Sequence, residues 1–420
     1  MAVALPPEIT DSIIEQIYLS ASPPSASFPT LRACSLVCRA WLPASRHHLP
    51  SKLSLSPLNF RLFVRHVETP ENTLFAYLRE LQVSSPLNPV HLRTLVDLLG
   101  RFSVLAVLKL TQSPIAFEFP PVQCLTSLEL RHVRFDTFDR FTQMLRCLPN
   151  LRRLCVAQVV WASNSGEIFE ALPLPVAEGP PIELELFEFD LWPADEGFGS
   201  QRYFLSWLKA ESGWPRASKL VVRIQAGTDD LSNYLERLGA HLIELNVRDV
   251  NDRTLLVELR HNTALRRLRL CPAPTSYAWR STHHYLMYTL PNFFSQSSLL
   301  SPHLAVLTLD LPDITPDDLR DLPQDAMDRL AALVATWSSP FPRLRRIEFN
   351  IRCRRHVEDE YGLAAGHHRP GSGEIGEDGL KMCEVERDFR THVLDPLVTA
   401  SGRFDIDMVI ALADVPGSLA

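Results

Sequence analysis

The chain lacks most of the features that announce a membrane, a leader or a familiar chemistry. Its 420 residues contain no run of about 18 apolar residues, so no membrane span is predicted. The opening MAVALPPEIT is short in its apolar part and has no basic start, which argues against a secretory leader. No G-x-S-x-G elbow, P-loop or H-E-x-x-H occurs, so the hydrolase, nucleotide-phosphate and zinc-protease signatures are missing. Long basic runs are missing too, and with a net charge of −7 neither nucleic acid nor an anionic membrane surface is expected as a partner. The cysteines number eight, in no disulfide-framework spacing. The expectation is an intracellular protein, cytoplasmic or nuclear, with reduced thiols.

Glycine is scarce, at 16 residues, whereas proline is abundant, at 33. Stretches such as "SASPPSASFP", "LPLPVAEGPP" and "CPAPTS" therefore punctuate many short elements. Hydrophobic residues at 46% and charged residues at 22% give a globular balance rather than a disordered one.

The segment LPPEITDSIIEQIYLS begins with Pro6 and Pro7, which suit a helix start, and Glu8 and Asp11 favour the positive end of the helix dipole. Ile9, Ile13, Ile14 and Ile17 fall at spacings that predict one shared helix face. After a proline-rich break, "TLRACSLVCRAW" predicts a second helix with Leu31, Cys34, Ser35, Cys38 and Trp41 on one side, flanked by Leu36 and Val37. A disulfide between Cys34 and Cys38 is geometrically poor, because side chains four residues apart stack along the axis about 5–6 Å apart. Zinc would need about four ligands, and only His47 and His48 lie near. Packing as small apolar residues is the simpler reading of both cysteines.

LPPEI, then II..I, then L..CSLVCRAW resembles the F-box, and in particular the F-box-like module common in fungal proteins. The match covers about residues 4–48, with a longer connection, YLSASPPSASFPT, between its halves. The resemblance implies docking on the Skp-type adaptor of cullin-based ubiquitin ligases. It assigns the adaptor contact to Leu5, Pro6, Ile9, Ile13, Leu36, Val37 and Trp41. A helical cap that seals the neighbouring domain is the bland alternative.

Beyond residue 50 one phrase recurs: leucine, two residues, leucine, one residue, an apolar residue. It reads Leu78-Leu81-Val83, Leu105-Leu108-Leu110, Leu125-Leu128-Leu130 and Leu151-Leu154-Val156, then Leu242-Leu245-Val247, Leu265-Leu268-Leu270, Leu304-Leu307-Leu309 and Leu344-Ile347-Phe349. Weaker copies sit at Leu184-Leu186 and Leu220-Val222. Each copy ends in the two-residue alternation of a strand with one buried face, and helix-like stretches lie between copies. Such units must stack on their neighbours to bury their apolar faces. The pattern resembles leucine-rich repeats. The expected fold is therefore α/β: a small helical module over 1–50, then an irregular leucine-rich-repeat-like solenoid of parallel strands over 51–420, with a flexible insertion at about 356–383. The family's asparagine is replaced by Ser113, Val133, Val159 and Val250. A doubly wound α/β domain with a ligand crevice is the alternative.

No constellation predicts catalysis, a metal or a cofactor. Gly371, Gly373 and Gly376 have dinucleotide-loop spacing but follow no strand, within a loop-like composition. Cys353, His356, His367, His368 and Cys383 fit no metal spacing. His283 and His284, being adjacent, would point apart on a helix. What remains is a surface. The outward residues of successive strands, Lys109, Glu129, Cys155, Glu185, Val221, Asn246, Arg269, Thr308 and Glu348, flanked by Arg131, Arg248 and Arg267, carry both charge signs and suit a protein target. Tyr277, Trp279, Tyr285 and Tyr288 are candidate anchors at one rim. The expected function is a non-catalytic substrate-recognition subunit of a Skp–cullin–F-box type ligase. A repeat scaffold with no ligase role, and an enzyme with its site in the 271–303 or 356–383 insertions, are the competing readings.

Overall fold

A computed structural model describes residues 6–20, 27–37, 52–69, 74–161, 182–191, 215–224, 228–250, 259–272, 303–314, 342–354, 387–395 and 405–413, together with 41, 44–45, 204, 207–208, 301, 328, 331–332 and 398. The architecture is α/β, with parallel sheets and few helices. The chain forms two compact units: Met1–Val176 with Ile182–Leu184 and Gly197–Tyr203, and Ala177–Pro181 with Glu185–Glu196 and Phe204–Ala420.

The first unit opens with two helices, α1 (Pro7–Leu19) and α2 (Phe28–Val37). Pro6 precedes α1 as its N-cap, and Pro7 takes the first helical position, where its missing N–H costs nothing. Ile14, Leu31, Cys34 and Ala44 form a small core, with Ile17, Tyr18 and Trp41 packed against it. Cys34 is thus a packing residue with a free thiol, whereas Cys38 lies outside the described residues. The shared isoleucine face needs correction. The buried stripe of α1 runs through Thr10 and Ile14 towards the half-buried Ile17, and Ile9 and Ile13 fall on its exposed rim. At 100° per residue the four isoleucines span more arc than one partner helix covers.

Strands β1 (Lys52–Leu55), β2 (Glu80–Val83), β3 (Val107–Thr111), β4 (Pro114–Ile115), β5 (Ser127–Arg131), β6 (Arg134–Phe135), β7 (Arg153–Ala157) and β8 (Val160–Trp161) follow. In this unit β1, β2, β3, β5 and β7 pair in that order, all parallel, while β4, β6 and β8 form a second, short parallel ladder. The register sets Leu81, Leu108, Leu128 and Leu154 side by side, and likewise Val83, Leu110, Leu130 and Val156. All eight are at most 2% exposed. Each such side chain contributes about 1.5–3 kcal/mol by leaving water, so the recurring phrase is the main cohesive element. Helices Pro57–Glu68, Pro89–Leu99 and Phe138–Arg146 connect the strands. Asn88 Oδ1 accepts from the His91 N–H at 2.7 Å and Thr137 Oγ1 from Arg140 N–H at 3.3 Å, satisfying orphan donors at two helix starts.

The second unit contains most of β9 (Glu183–Leu191), then β10 (Arg216–Ile224), β11 (Glu244–Val250), β12 (Arg267–Pro272), β13 (Val306–Ile314), β14 (Arg346–Arg354) and β15 (Asp405–Ala413). These are neighbours in chain order, and β10 to β15 are parallel throughout. Strand order never reverses among the described residues of either unit, so neither has the switch point of a doubly wound sheet. Leu220, Leu245, Leu268, Leu307 and Ile347 form one buried row. The weak copy at 184–186 also needs correction: Leu184 is buried, but the next inward residues are Phe187 and Phe189, and Leu186 is half-buried. Those two rings join Phe204, Trp207 and Tyr234 in an aromatic core. The fully buried Tyr234 hydroxyl donates to Pro215 O at 2.7 Å, and burial pushes its pKa well above the ordinary phenol value.

Candidate functional site

The first candidate surface is on the helical pair. Because α1 and α2 bury one face against each other, their remaining apolar residues stay in water: Ile9 is 49% exposed, Ile13 36%, Val37 63% and Leu36 85%. Pro6 is also exposed and Trp41 half-buried against the helical core. Exposed leucine and valine on neighbouring positions offer no benefit to an isolated helix pair, and clustered apolar exposure marks interaction surfaces. Six of the seven residues expected to contact an adaptor are therefore described, and five of them are exposed. Leu5 lies outside the described residues.

The second candidate surface is the polar face of each sheet. Parallel pairing with a two-residue period puts every second side chain on that face, so its rows follow from register alone. In the first unit Gln82, Lys109, Glu129 and Cys155 align across β2, β3, β5 and β7. In the second, Val221, Asn246, Arg269, Thr308 and Glu348 align across β10 to β14. The expected surface residues Lys109 and Glu129 thus share one row, and Asn246, Arg269, Thr308 and Glu348 another. Glu185 is exposed on β9, and its backbone carbonyl accepts from Ser218 Oγ at 3.0 Å.

Charges on the first unit's face neutralise one another. Lys52 Nζ lies 2.9 Å from Glu80 Oε1, and Lys109 Nζ lies 3.1 Å from the same oxygen and 3.6 Å from Glu129 Oε2. Arg131 pairs with Glu129 in turn. Burial alone would raise the Glu80 carboxyl, but hydrogen bonds and attraction from Lys52 and Lys109 outweigh it and hold the pKa below the usual value. The same hydrogen bond to Glu80 raises the Lys109 ammonium. Sequence reading missed Glu80 as the bridging residue. Its signal is the alternation of sign, Lys52, Glu80, Lys109, Glu129, at successive strand positions.

The second unit's face is more varied. Arg248 Nη1 reaches Glu188 at 2.7 Å and Arg223 Nη1 reaches Asp190 at 3.0 Å. Arg269 Nε donates to Asp310 Oδ2 at 2.7 Å, a hydrogen bond that raises the guanidinium pKa, while Asn350 donates to the other oxygen of Asp310 at 2.9 Å. Thr308 Oγ1 donates to Glu348 Oε2 at 3.0 Å, and Arg346 approaches that carboxylate at 3.2 Å. Asn246, between Val221 and Arg269, keeps its buried Oδ1 without a hydrogen-bond partner among the described residues. Among the described residues it is the one position of the row with a buried, unpartnered polar atom.

Tyr277, Trp279, His283, His284, Tyr285, Tyr288, Gly371, Gly373, Gly376, His356, His367, His368 and Cys383 all lie outside the described residues. Among the described residues no group of three His, Cys, Asp or Glu is placed to hold a metal ion, and no helix is long and apolar enough to cross a membrane. No family model matches the chain, and no curated protein matches it.

Proposed function

We propose that the chain is a non-catalytic recognition subunit of a Skp–cullin–F-box type ubiquitin ligase. The helical pair acts as an F-box-like module that docks on a Skp-type adaptor, and an irregular leucine-rich-repeat-like solenoid presents a protein target. The observation that carries this reading is the unpartnered apolar set Ile9, Ile13, Leu36 and Val37 on a helix pair whose other face is already packed. These are the positions at which the F-box resemblance predicts adaptor contact. The polar sheet faces, with both charge signs and no basic excess, supply the surface for a target protein.

The test is co-purification of the full chain with a Skp-type adaptor, comparing wild type with Leu36→Ser/Val37→Ser. Both side chains are exposed, so helix and strand content by circular dichroism should be unchanged. Adaptor capture should fall by more than tenfold, since a few buried anchors carry about 2 kcal/mol or more each in such interfaces. A wild-type chain that brings down no adaptor would leave a repeat scaffold without a ligase role as the reading that stands.

A further inference from the structure

We propose a second binding site, for a phosphate monoester, in the cleft at the head of β12, β13 and β14. This goes beyond the ligase reading and does not depend on it. The cleft has a volume of about 650 Å³ and is lined by Arg266, Arg343, Arg345, His303, Thr263 and two alanines. Its described lining contains three guanidiniums and no carboxylate.

The backbone explains the convergence. Leu265, Leu304 and Leu344, each at most 2% exposed, lie two residues before β12, β13 and β14 and are buried in the core. The residues on either side of that row are thereby turned outward. Ala305 N–H donates to Arg266 O at 2.9 Å, and Arg345 N–H donates to Ala305 O at 3.0 Å, so Arg266, Ala305 and Arg345 stand abreast. Neighbouring strands are about 4.8 Å apart, which separates the two arginine backbones by roughly 10 Å, with only a methyl group between. Side chains of arginine length reach across that gap and close on one ligand. His303 and Arg343 hold the matching positions, each just before its leucine, one row earlier.

Charge makes the cluster specific. The chain carries a net −7, yet Arg266, Arg343 and Arg345 make no ion pair among the described residues, unlike Arg269 and Arg346 nearby. The equivalent positions in the first unit, flanking Leu105, Leu125 and Leu151, are Val104 and Ala106, Cys124 and Thr126, Asn150 and Arg152. Three unpaired guanidiniums are best matched by a dianion with several acceptor oxygens, which arginine grips in bidentate fashion. The volume lies within the range of ligand pockets and leaves room for the group that the phosphate esterifies. That group can belong to a small phosphorylated molecule or to a phosphorylated side chain of a protein.

The experiment uses the full chain and a fluorescent phosphoserine peptide with neutral flanks, alongside its unphosphorylated counterpart and free O-phosphoserine as competitor. Saturable binding of the phosphopeptide alone is expected. Arg266→Gln/Arg343→Gln/Arg345→Gln should weaken it by roughly 100-fold, from the loss of charged hydrogen bonds. Arg61→Gln/Arg65→Gln/Arg93→Gln, which removes the same charge from exposed positions of the first unit, should leave it unchanged. Competition by free phosphoserine at concentrations similar to the peptide would assign a small-molecule ligand, and competition only at far higher concentrations would assign a protein segment. Equal binding of the unphosphorylated peptide, no binding of any phosphate probe, or an equal effect of the two triple variants would overturn the proposal.

Discussion

The two units solve the same problem in different ways. Both stack parallel strands in chain order over rows of buried leucine. In the first, the strands β3, β5 and β7 are five residues long, and each ends at a sharp corner that leads to the two-residue strand of a second ladder. The corner residues Gln112, His132 and Gln158 all have φ of 52°, the left-handed region. In the second unit no such corner occurs among the described residues. The strands β10, β11, β13 and β14 run on for seven to nine residues, and the sheet absorbs the misfit as register shifts between Val247 and Val250 and between Leu311 and Ile314. Phrase spacing varies less in the first unit, at 27, 20 and 26 residues from Leu78 to Leu151, than in the second, at 23, 39 and 40 residues from Leu242 to Leu344. The corner that follows β3, β5 and β7 goes with phrases 20 and 26 residues apart. Without it, strand length and connection length drift, and side chains must supply what backbone regularity does not.

Asn262 shows that substitution of side chain for backbone, and it carries the largest expected effect. It is fully buried in the second unit, and its amide donates to Leu235 O at 2.7 Å and Gly239 O at 3.2 Å, at the end of the helix Thr228–Leu238. Its backbone carbonyl accepts from the buried Ser301 Oγ at 2.9 Å. Asn262→Ala should cost about 2–4 kcal/mol, because it removes two hydrogen bonds and strands buried carbonyls. Hydrogen exchange by mass spectrometry should show lost protection in peptides from 228–272. Peptides from 105–161 should keep theirs. Equal loss in both would mean that the units do not hold themselves together separately.

What the sequence reveals divides along the same line. The leucine phrase locates β2, β3, β5, β7, β11, β12, β13 and β14, because period-two alternation over several residues is a strong signal. It cannot reveal β4, β6 or β8, which at two residues have no period. Nor does it find β1 or β15, which lack the leading leucine of the phrase. The helix Pro57–Glu68 buries Phe60, Phe63 and Val67, a legible helical spacing that the search for leucines passes over. The polar rows are readable because alternation fixes the side of the sheet. Their ion pairs are not, since the Lys109–Glu80 contact depends on register between strands 27 residues apart (Glu80 to Val107). The arginine cleft is hidden for the same reason: Arg266, Ala305 and Arg345 are neighbours only after folding.

The charge ladder of the first unit gives a smaller and pH-dependent effect. Glu80 has a folded pKa below its ordinary value of 4.5, so it contributes stability when ionised, fully above that value, and the contribution is lost as pH falls through the folded pKa. Glu80→Gln leaves Lys52 and Lys109 without their shared carboxylate. At pH 7 and low salt it should destabilise the first unit by about 1 kcal/mol, given the partial exposure of the lysines. The gap between variant and wild type in urea unfolding should close as pH falls below about 4.5 and narrow in high salt. A gap that stays constant to pH 3 would show that the pairs on this face contribute through shape rather than charge.

The smallest effect tests the corner itself. His132 is exposed and holds φ of 52°, where a residue with Cβ pays about 1–2 kcal/mol and glycine pays almost nothing. Its N–H donates to Ala157 O at 2.9 Å, a bond that any residue at the position makes. His132→Gly removes the steric cost but also frees the unfolded chain, so the net gain should be about 0.5 kcal/mol and a rise of about 1–2 °C in thermal midpoint. His132→Val should act in the opposite sense and by more, since a branched Cβ fits this region worst. The pair of variants separates backbone from side chain: a fall in midpoint with glycine would mean that the imidazole, not the backbone, holds the corner. A rise with glycine and a fall with valine would identify the left-handed corner as the strained element that the short repeats of the first unit share.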